Sequence, residues 1–240
     1  MQGMKRCKTH MVRACLLLLA AVPAYCQDRG RFGAILGSTS DKFDSLSSSN
    51  SLIVGIDGQM AVIKGGGKTN RPSIVGGGEI RLPDDTGNHA REYAFFGGPR
   101  FHAPHDLLIG FNAQLRQITL PTANVDNQFF ARDRMRLFEL PVVIQYKFGP
   151  GKRAWIEAQG APEFTPHWHR PSSNKLVLPN PRLDHGYFIR GTVGYTFAKF
   201  YYAKAMYENR YFKFVPDLGN PNNLYNWKTN LISGGIGVIF

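Results

Sequence analysis

Apolar and polar residues alternate with a period of two along most of this chain, which is typical of β-strands with two different faces. The alternating runs are separated by clusters of Gly, Pro, Asn, Asp and Ser, and helical periodicity is almost absent beyond residue 27. The pattern predicts strands over ten runs: 31–39, 51–63, 73–82, 92–102, 107–119, 136–148, 154–168, 186–197, 199–213 and 229–240.

The two faces of these runs differ in chemistry. One face is apolar and carries aromatic residues near its ends, such as Phe138 and Phe148 in one run and Tyr187 and Phe197 in another. A soluble β-sandwich also alternates, and it remains an alternative interpretation. Terminal aromatics and mixed charges favour a membrane barrel, in which the charges pair across a narrow interior. The opposite faces carry Glu139, Lys147, Glu157, Glu163, Arg190, Lys204, Glu208 and Arg210.

The connections between the runs alternate in length, which indicates the topology. They are roughly 11, 9, 9, 4, 16, 5, 17, 1 and 15 residues long, and from the fourth onward short and long strictly alternate. Outer-membrane barrels have tight periplasmic turns and longer external loops, so both termini are predicted to be periplasmic. The nine-residue connection 64–72 fits less well, and 31–39 is the weakest strand. We therefore expect an all-β fold: a transmembrane antiparallel up-and-down β-barrel of about ten strands, with eight as the alternative.

The N-terminal segment 1–26 is predicted to be a cleaved signal peptide. Residues 4–13 are basic, and an apolar run of about eleven residues follows over 14–24, too short to span a bilayer. Small residues at Ala24 and Cys26 place the cleavage before Gln27, which leaves 27–240 as the barrel domain. Lipidation of Cys26 is the alternative.

Composition narrows the possible chemistry. The formal net charge of the chain is +12 and becomes +8 when 1–26 is removed, because the basic count falls from 29 to 25 against 17 acids. No stretch beyond 27 reaches the roughly 18 apolar residues of a membrane-spanning helix. The mature chain is predicted to have no disulfide, cysteine metal site or thiol nucleophile, since the cysteines are Cys7, Cys15 and Cys26.

The last predicted strand carries the most specific family signal. Ile232, Gly234, Ile236, Val238 and Phe240 share one face. This segment resembles the terminal strand of bacterial outer-membrane β-barrels, and the resemblance implies that the barrel-assembly machinery recognises the strand ending at Phe240. Segments 31–43 and 137–148 are similar, more loosely, to strands of small porin-like barrel families. The resemblance implies location and fold rather than a particular activity.

The sequence contains few groups of residues that could be catalytic, and none has the spacing of a known barrel enzyme. An omptin-type barrel protease uses Asp-x-Asp and Asp-x-His, whereas Asp84-Asp85 and Asp184-His185 are adjacent pairs whose side chains point to opposite faces of a strand. A lipid-A deacylase needs a Ser–His pair assisted by an acid. The cluster of that type consists of His167, Trp168, His169, Ser172 and Ser173, without a matching motif around it.

Binding motifs are equally sparse. His167, His169 and His185 could hold a metal, but nothing provides a fixed third ligand. The glycine groups 65–67 and 76–78 lack a phosphate-loop ending and are predicted to form turns or close strand packing. Dispersed basic residues do not indicate nucleic-acid binding. Attraction to lipopolysaccharide phosphates is an alternative to solvated loop charge, with Arg132, Arg134 and Arg136 as candidates near the rim.

We therefore expect an outer-membrane barrel, monomeric, with a structural or surface-interaction role or at most a narrow pore, because a barrel of this size is filled by side chains. No catalytic residue, cofactor or metal is predicted. The alternatives are a barrel enzyme acting on lipid or peptide, and a soluble secreted β-barrel that binds a ligand.

Overall fold

The structure, a computed structural model, describes residues 30–43, 49–63, 72–84, 89–119, 134–164, 167–169, 182–198, 200–215 and 225–240. The predicted signal peptide therefore lies outside the described residues. Among the described residues, no helix has the length and apolar character needed to cross a membrane. Apart from a single 3-10 turn at Pro150–Lys152, the regular structure described is β-strand.

Ten strands form the fold, and three of them are each built from two segments. They are β1 (Gly30–Phe43), β2 (Ser49–Ile63), β3 (Ser73–Pro83), β4 (Arg91–Ala103), β5 (Leu107–Phe111 and Ala113–Thr119), β6 (Arg134–Glu139 and Val142–Phe148), β7 (Ala154–Pro162 and His167–His169), β8 (Arg182–Phe197), β9 (Tyr201–Val215) and β10 (Tyr225–Ile239). All ten predicted runs are strands, so the prediction of ten is confirmed and the eight-strand alternative is wrong.

Each strand pairs antiparallel with its neighbours in the chain, and β1 also pairs with β10. The β1–β10 ladder runs from Arg31 opposite Ile239 to Phe43 opposite Trp227. It continues to Gly30, whose N–H donates to the Phe240 carbonyl oxygen at 2.8 Å. The sheet is therefore closed into an up-and-down barrel, in which the strand backbones satisfy one another without a free edge.

The connections divide the barrel into two ends. The terminal end contains Gly30, Phe240 and the short connections 104–106, 149–153 and 198–200. The loop end contains the connections 44–48, 84–90, 120–133, 170–181 and 216–224. Connection 64–72 also falls at the terminal end, although its nine residues make it longer than the loop-end connections 44–48 and 84–90. The predicted alternation of short and long connections therefore holds from 104–106 onward.

Several strands extend beyond their predicted bounds at the loop end. The prediction for the first strand stopped at 39, but β1 continues to Phe43, with Ser40 opposite Asn50 and Asp41 opposite Ser49. The eleven-residue connection predicted between the first two strands is thus wrong, and the observed one is 44–48. The backbone ladder continues here while the outward residues become polar, so the apolar alternation ends before the strand does.

Alternate side chains point outward and inward, as predicted. The inward residues include the buried charged groups, while large apolar side chains such as Leu36, Phe95, Leu115 and Ile232 are more than half exposed on the outer wall. Tyr146 stacks on Phe148 on that wall, with ring centroids 5.9 Å apart. The outer wall therefore has the apolar surface with terminal aromatics that a lipid-facing barrel requires.

A bulge in β7 determines where the histidines of that strand lie. Glu139 is opposite Glu163, but Arg136 is opposite His167, so three residues of β6 match four residues of β7. The extra residue moves the upper segment of β7 by one position relative to β6. His167 consequently shares the outer face with Arg136 and is exposed.

Candidate functional site

A buried network of arginine and glutamate side chains fills the middle of the barrel. It extends over seven strands, β3 to β9, and its members are at most 9% exposed. Alternation along the strands directs all of these side chains inward. The members are Glu79, Arg81, Glu92, Arg116, Glu139, Glu163, Arg190, Glu208 and Arg210.

Glu208 of β9 is the most heavily bonded carboxylate of this network. Both of its oxygens accept from Arg81, from Nη1 at 2.9 Å and from Nη2 at 2.7 Å. Arg190 donates to it through Nε at 2.7 Å and reaches Glu79 through Nη2 at 2.9 Å. Glu79 also pairs with Arg81. Four charged groups from three separate parts of the chain therefore neutralise one another across the interior.

The remaining members continue the network toward β5, β6 and β7. Arg116 bridges Glu92, at 2.7 Å, and Glu139, at 3.2 Å. Arg210 lies 3.5 Å from Glu139 and 3.4 Å from Glu163, with its guanidinium 5.3 Å from the Phe188 ring centroid. Charges this deeply buried are tolerated because each faces a partner of opposite sign.

A small polar chamber lies on the terminal side of the network. Its volume is about 50 Å³, and Asp57, Glu157, Lys204 and Trp155 are among the residues lining it. Lys204 pairs with Asp57, and the Arg31 guanidinium lies 4.5 Å above the Trp155 ring. A water molecule needs about 10–15 Å³ of such space, so the chamber holds a few waters rather than an organic ligand.

An apolar layer closes the interior toward the loop end. Phe212 stacks on Trp227 at 5.1 Å and on Phe214 at 5.7 Å between ring centroids. The side chains of this layer are at most 8% exposed and fill this level of the interior. Its buried members are Ile118, Met135, Leu137, Leu183, Phe212, Phe214 and Trp227.

Asp41 makes a polar cluster beside this layer that was not found from the sequence. Its carboxylate accepts from Thr229 Oγ1 at 2.7 Å and from Trp227 Nε1 at 3.3 Å, and it lies 3.0 Å from His89 Nδ1. His89 is outside the strands, and Asp41 is outside the predicted first strand. No spacing in the sequence connects them, because loop and strand positions meet here only through the fold.

The predicted catalytic candidates do not assemble. Asp184 and His185 form an exposed pair at 2.9 Å on β8, while Asp84 follows β3 and accepts from Ser51. Strands β3 and β8 are five strands apart in a ring of ten, on opposite sides of the barrel. Asp85, Ser172 and Ser173 lie outside the described residues.

The predicted binding candidates are placed separately. His167 of β7 and His185 of β8 are both exposed, and in the part of the chain that the structure describes no three His, Cys, Asp or Glu side chains form a metal-binding group. Arg134 and Arg136 are exposed on the outer wall at the loop end, as predicted, and Arg132 lies outside the described residues. Glycines 76–78 lie within β3, and Gly77 faces the Phe96 ring and the Gly58 backbone.

The closed antiparallel barrel, its apolar outer wall and its buried ion network define the class of the molecule. It has the fold of bacterial outer-membrane β-barrel proteins. No protein-family model matches the chain, and no curated protein matches its sequence.

Similar structures are bacterial surface proteins and porins of this class. Neisserial surface protein A is 12% identical, with 87% of this chain and 97% of that chain covered and a TM-score of 0.38. The KdgM porin is 10% identical, covering 86% and 99%, with a TM-score of 0.39. The attachment invasion locus protein Ail of Yersinia pestis is 8% identical, covering 90% and 100%, with a TM-score of 0.32. Sequence identities and TM-scores this low do not indicate what this chain does.

The ion network predicts that substituting a buried acid destabilises the barrel much more than substituting an exposed one. The substitution Glu208→Gln keeps the side-chain volume but leaves Arg81 and Arg190 without their shared carboxylate. We expect it to lower the free energy of unfolding by about 3–5 kcal/mol. The measurement is urea unfolding of the barrel in lipid vesicles, followed by tryptophan fluorescence.

Asp184→Asn is the matched control, because the Asp184–His185 pair is exposed and should contribute below about 1 kcal/mol. Equal, small losses in the two variants would show that the network does not stabilise the interior.

Proposed function

We propose that the chain is a bacterial outer-membrane barrel that does not conduct solutes. Its role is structural or depends on contacts made by its outer surface. The observation that carries this proposal is the stack of three interior layers. A polar chamber, an ion network and an apolar layer follow one another from the terminal end to the loop end. A general porin needs a continuous water-filled lumen, and these layers occupy that space.

Several finer features belong to this proposal. Segment 1–26 is removed as a signal peptide, the terminal end faces the periplasm, and the barrel works as a monomer. Three of the four terminal-end connections have at most five residues and three of the five loop-end connections have nine or more, which supports this orientation. We also infer that the barrel has no catalytic chemistry, because the described candidates are engaged separately: Asp84 accepts from Ser51 beside β3, and Asp184 pairs with His185 on β8, five strands away.

The closed interior predicts the electrical behaviour of the barrel. In planar lipid bilayers bathed in concentrated potassium chloride, the mature protein should insert without producing stable open-channel currents. A general porin reconstituted in the same way is the control for incorporation. Heat-dependent mobility on gels verifies that the inserted protein is folded. Long-lived, uniform conductance steps would contradict the closed interior and would favour the narrow-pore role.

The position of Phe240 supports a second part of the proposal, recognition by the barrel-assembly machinery. Phe240 follows β10, the strand that closes the barrel against β1, and its N–H donates to the Gly30 carbonyl oxygen at 3.0 Å. Its side chain continues the outward face of Ile232 and Ile236, which are both exposed. An aromatic side chain therefore lies beside the β1–β10 seam, which supports this part of the proposal.

We expect Phe240→Ala to slow assembly in cells, seen as a larger unfolded fraction by gel mobility, while the purified barrel refolds normally in detergent. Phe148→Ala is the matched control, because Phe148 is also an aromatic residue at the terminal end, on β6, and lies far from the β1–β10 seam. Equal assembly of the two variants would contradict a special role of Phe240.

A further inference from the structure

The outer wall contains a hollow where a lipid-facing barrel would ordinarily carry large side chains. The hollow has a volume of about 630 Å³, and its floor includes Ala158 of β7, Gly191 of β8 and Ala205 of β9. In register, Ala158 lies beside Gly191, and Ala205 lies beside Gly234 of β10. Larger side chains surround this floor: Ile144, Tyr146, Ile156, Val193, Tyr207 and Ile232.

The floor is open space toward the membrane. A Cβ atom built on Gly191 would have no atom of the chain within 4 Å. A void in contact with hydrocarbon loses dispersion contacts unless hydrocarbon fills it. The shape and the apolar lining therefore fit an acyl chain that lies against β7, β8 and β9.

A basic patch lies on the same strands, toward the loop end. Lys213 of β9 is opposite His185 of β8, and Lys228 of β10 is opposite Lys42 of β1. Each lysine projects outward, since its neighbours Phe212, Trp227 and Asp41 are buried inside the barrel. The acid described beside the patch is Asp184, 3.9 Å from Lys213, so the local charge is positive.

The spacing between the patch and the hollow matches one lipid molecule. Tyr207 lies at the edge of the hollow, and Lys213 lies six positions farther along β9. Six positions correspond to ~20 Å along the strand. Tyr187 and Tyr211 lie between them with ring centroids 5.7 Å apart, and Tyr211 donates to Asn226 Oδ1 at 2.8 Å. Tyrosines at this level are typical of the membrane interface, between hydrocarbon and headgroups.

Another part of the outer wall has the charges without the hollow. Arg134 and Arg136 lie on β6, with Arg91 on β4 in the same ring of outward cations. Farther along these strands the outward side chains include Phe138 and Phe95, which are large and exposed. This wall, formed by β4, β5 and the loop-end part of β6, therefore serves as an internal comparison for the wall of β7–β10 and β1.

We infer that the wall formed by β7–β10 and β1 binds one phosphorylated, multiply acylated glycolipid of the outer leaflet. Its phosphate contacts Lys42, Lys213 and Lys228, and one acyl chain fills the hollow over Gly191. Charge complementarity selects an anionic headgroup. The inference rests on the proposed function in one respect, that the loop end faces the outer leaflet.

The test is native mass spectrometry of the mature barrel extracted from outer membranes in mild detergent. The wild-type barrel should retain a single glycolipid with the mass of the phosphorylated, acylated lipopolysaccharide anchor. Gly191→Leu should abolish retention by filling the hollow without a clash. The double substitution Lys213→Gln/Lys228→Gln should weaken retention by about 10–30-fold, since each lysine near a phosphate contributes a factor of about five.

Gly97→Leu and Arg136→Gln are the matched controls on the comparison wall of β4–β6. Gly97 also faces outward, and a Cβ built there makes an ordinary 3.5 Å contact with the Val75 carbonyl oxygen. Both controls should retain the glycolipid. Equal retention in Gly191→Leu and Gly97→Leu would overturn the inference, as would a retained glycerophospholipid or a second protein copy in its place. The accessibility of a loop-end cysteine to a membrane-impermeant reagent on intact cells is read separately, so a reversed orientation remains distinguishable from failure of the glycolipid site.

Discussion

The absence of water from a bilayer core is the constraint on which the rest of this structure depends. In hydrocarbon every backbone N–H and C=O group needs a partner within the protein, and a sheet meets this need only when it is closed. The β1–β10 ladder closes it here, from Arg31 opposite Ile239 to Phe43 opposite Trp227. Closure fixes which side chains meet lipid and which are enclosed, and the interior layers follow from that division.

Enclosure explains why the interior is both charged and apolar. Charges enclosed by ten strands cannot reach bulk water, so Glu208 is matched by Arg81 and Arg190 rather than by solvent. Toward the loop end the interior changes to stacked rings such as Phe212 on Trp227. The two layers close the barrel by different physical means, and the outer wall remains the surface through which the protein meets its surroundings.

Much of the fold can be predicted from the sequence because strand alternation is a local property. The inward direction of Arg190 and Glu208 followed from their neighbours along each strand. Their pairing could not be predicted in the same way, since Arg81 and Glu208 are 127 residues apart and meet through the stagger of the whole ring. The hollow was missed for the same reason: Gly191 is unremarkable along β8, and only the register places it beside Ala158.

The central claim is that Ala113 and Leu115 face hydrocarbon while Gln114 and Arg116 face the filled interior. Nitroxide spin labels placed singly at these positions in vesicle-reconstituted protein measure this directly. The account predicts high collision rates with dissolved oxygen at 113 and 115, and low rates at 114 and 116 with both oxygen and a water-soluble nickel reagent. High nickel accessibility at 115 would contradict the account, because that position would then face water.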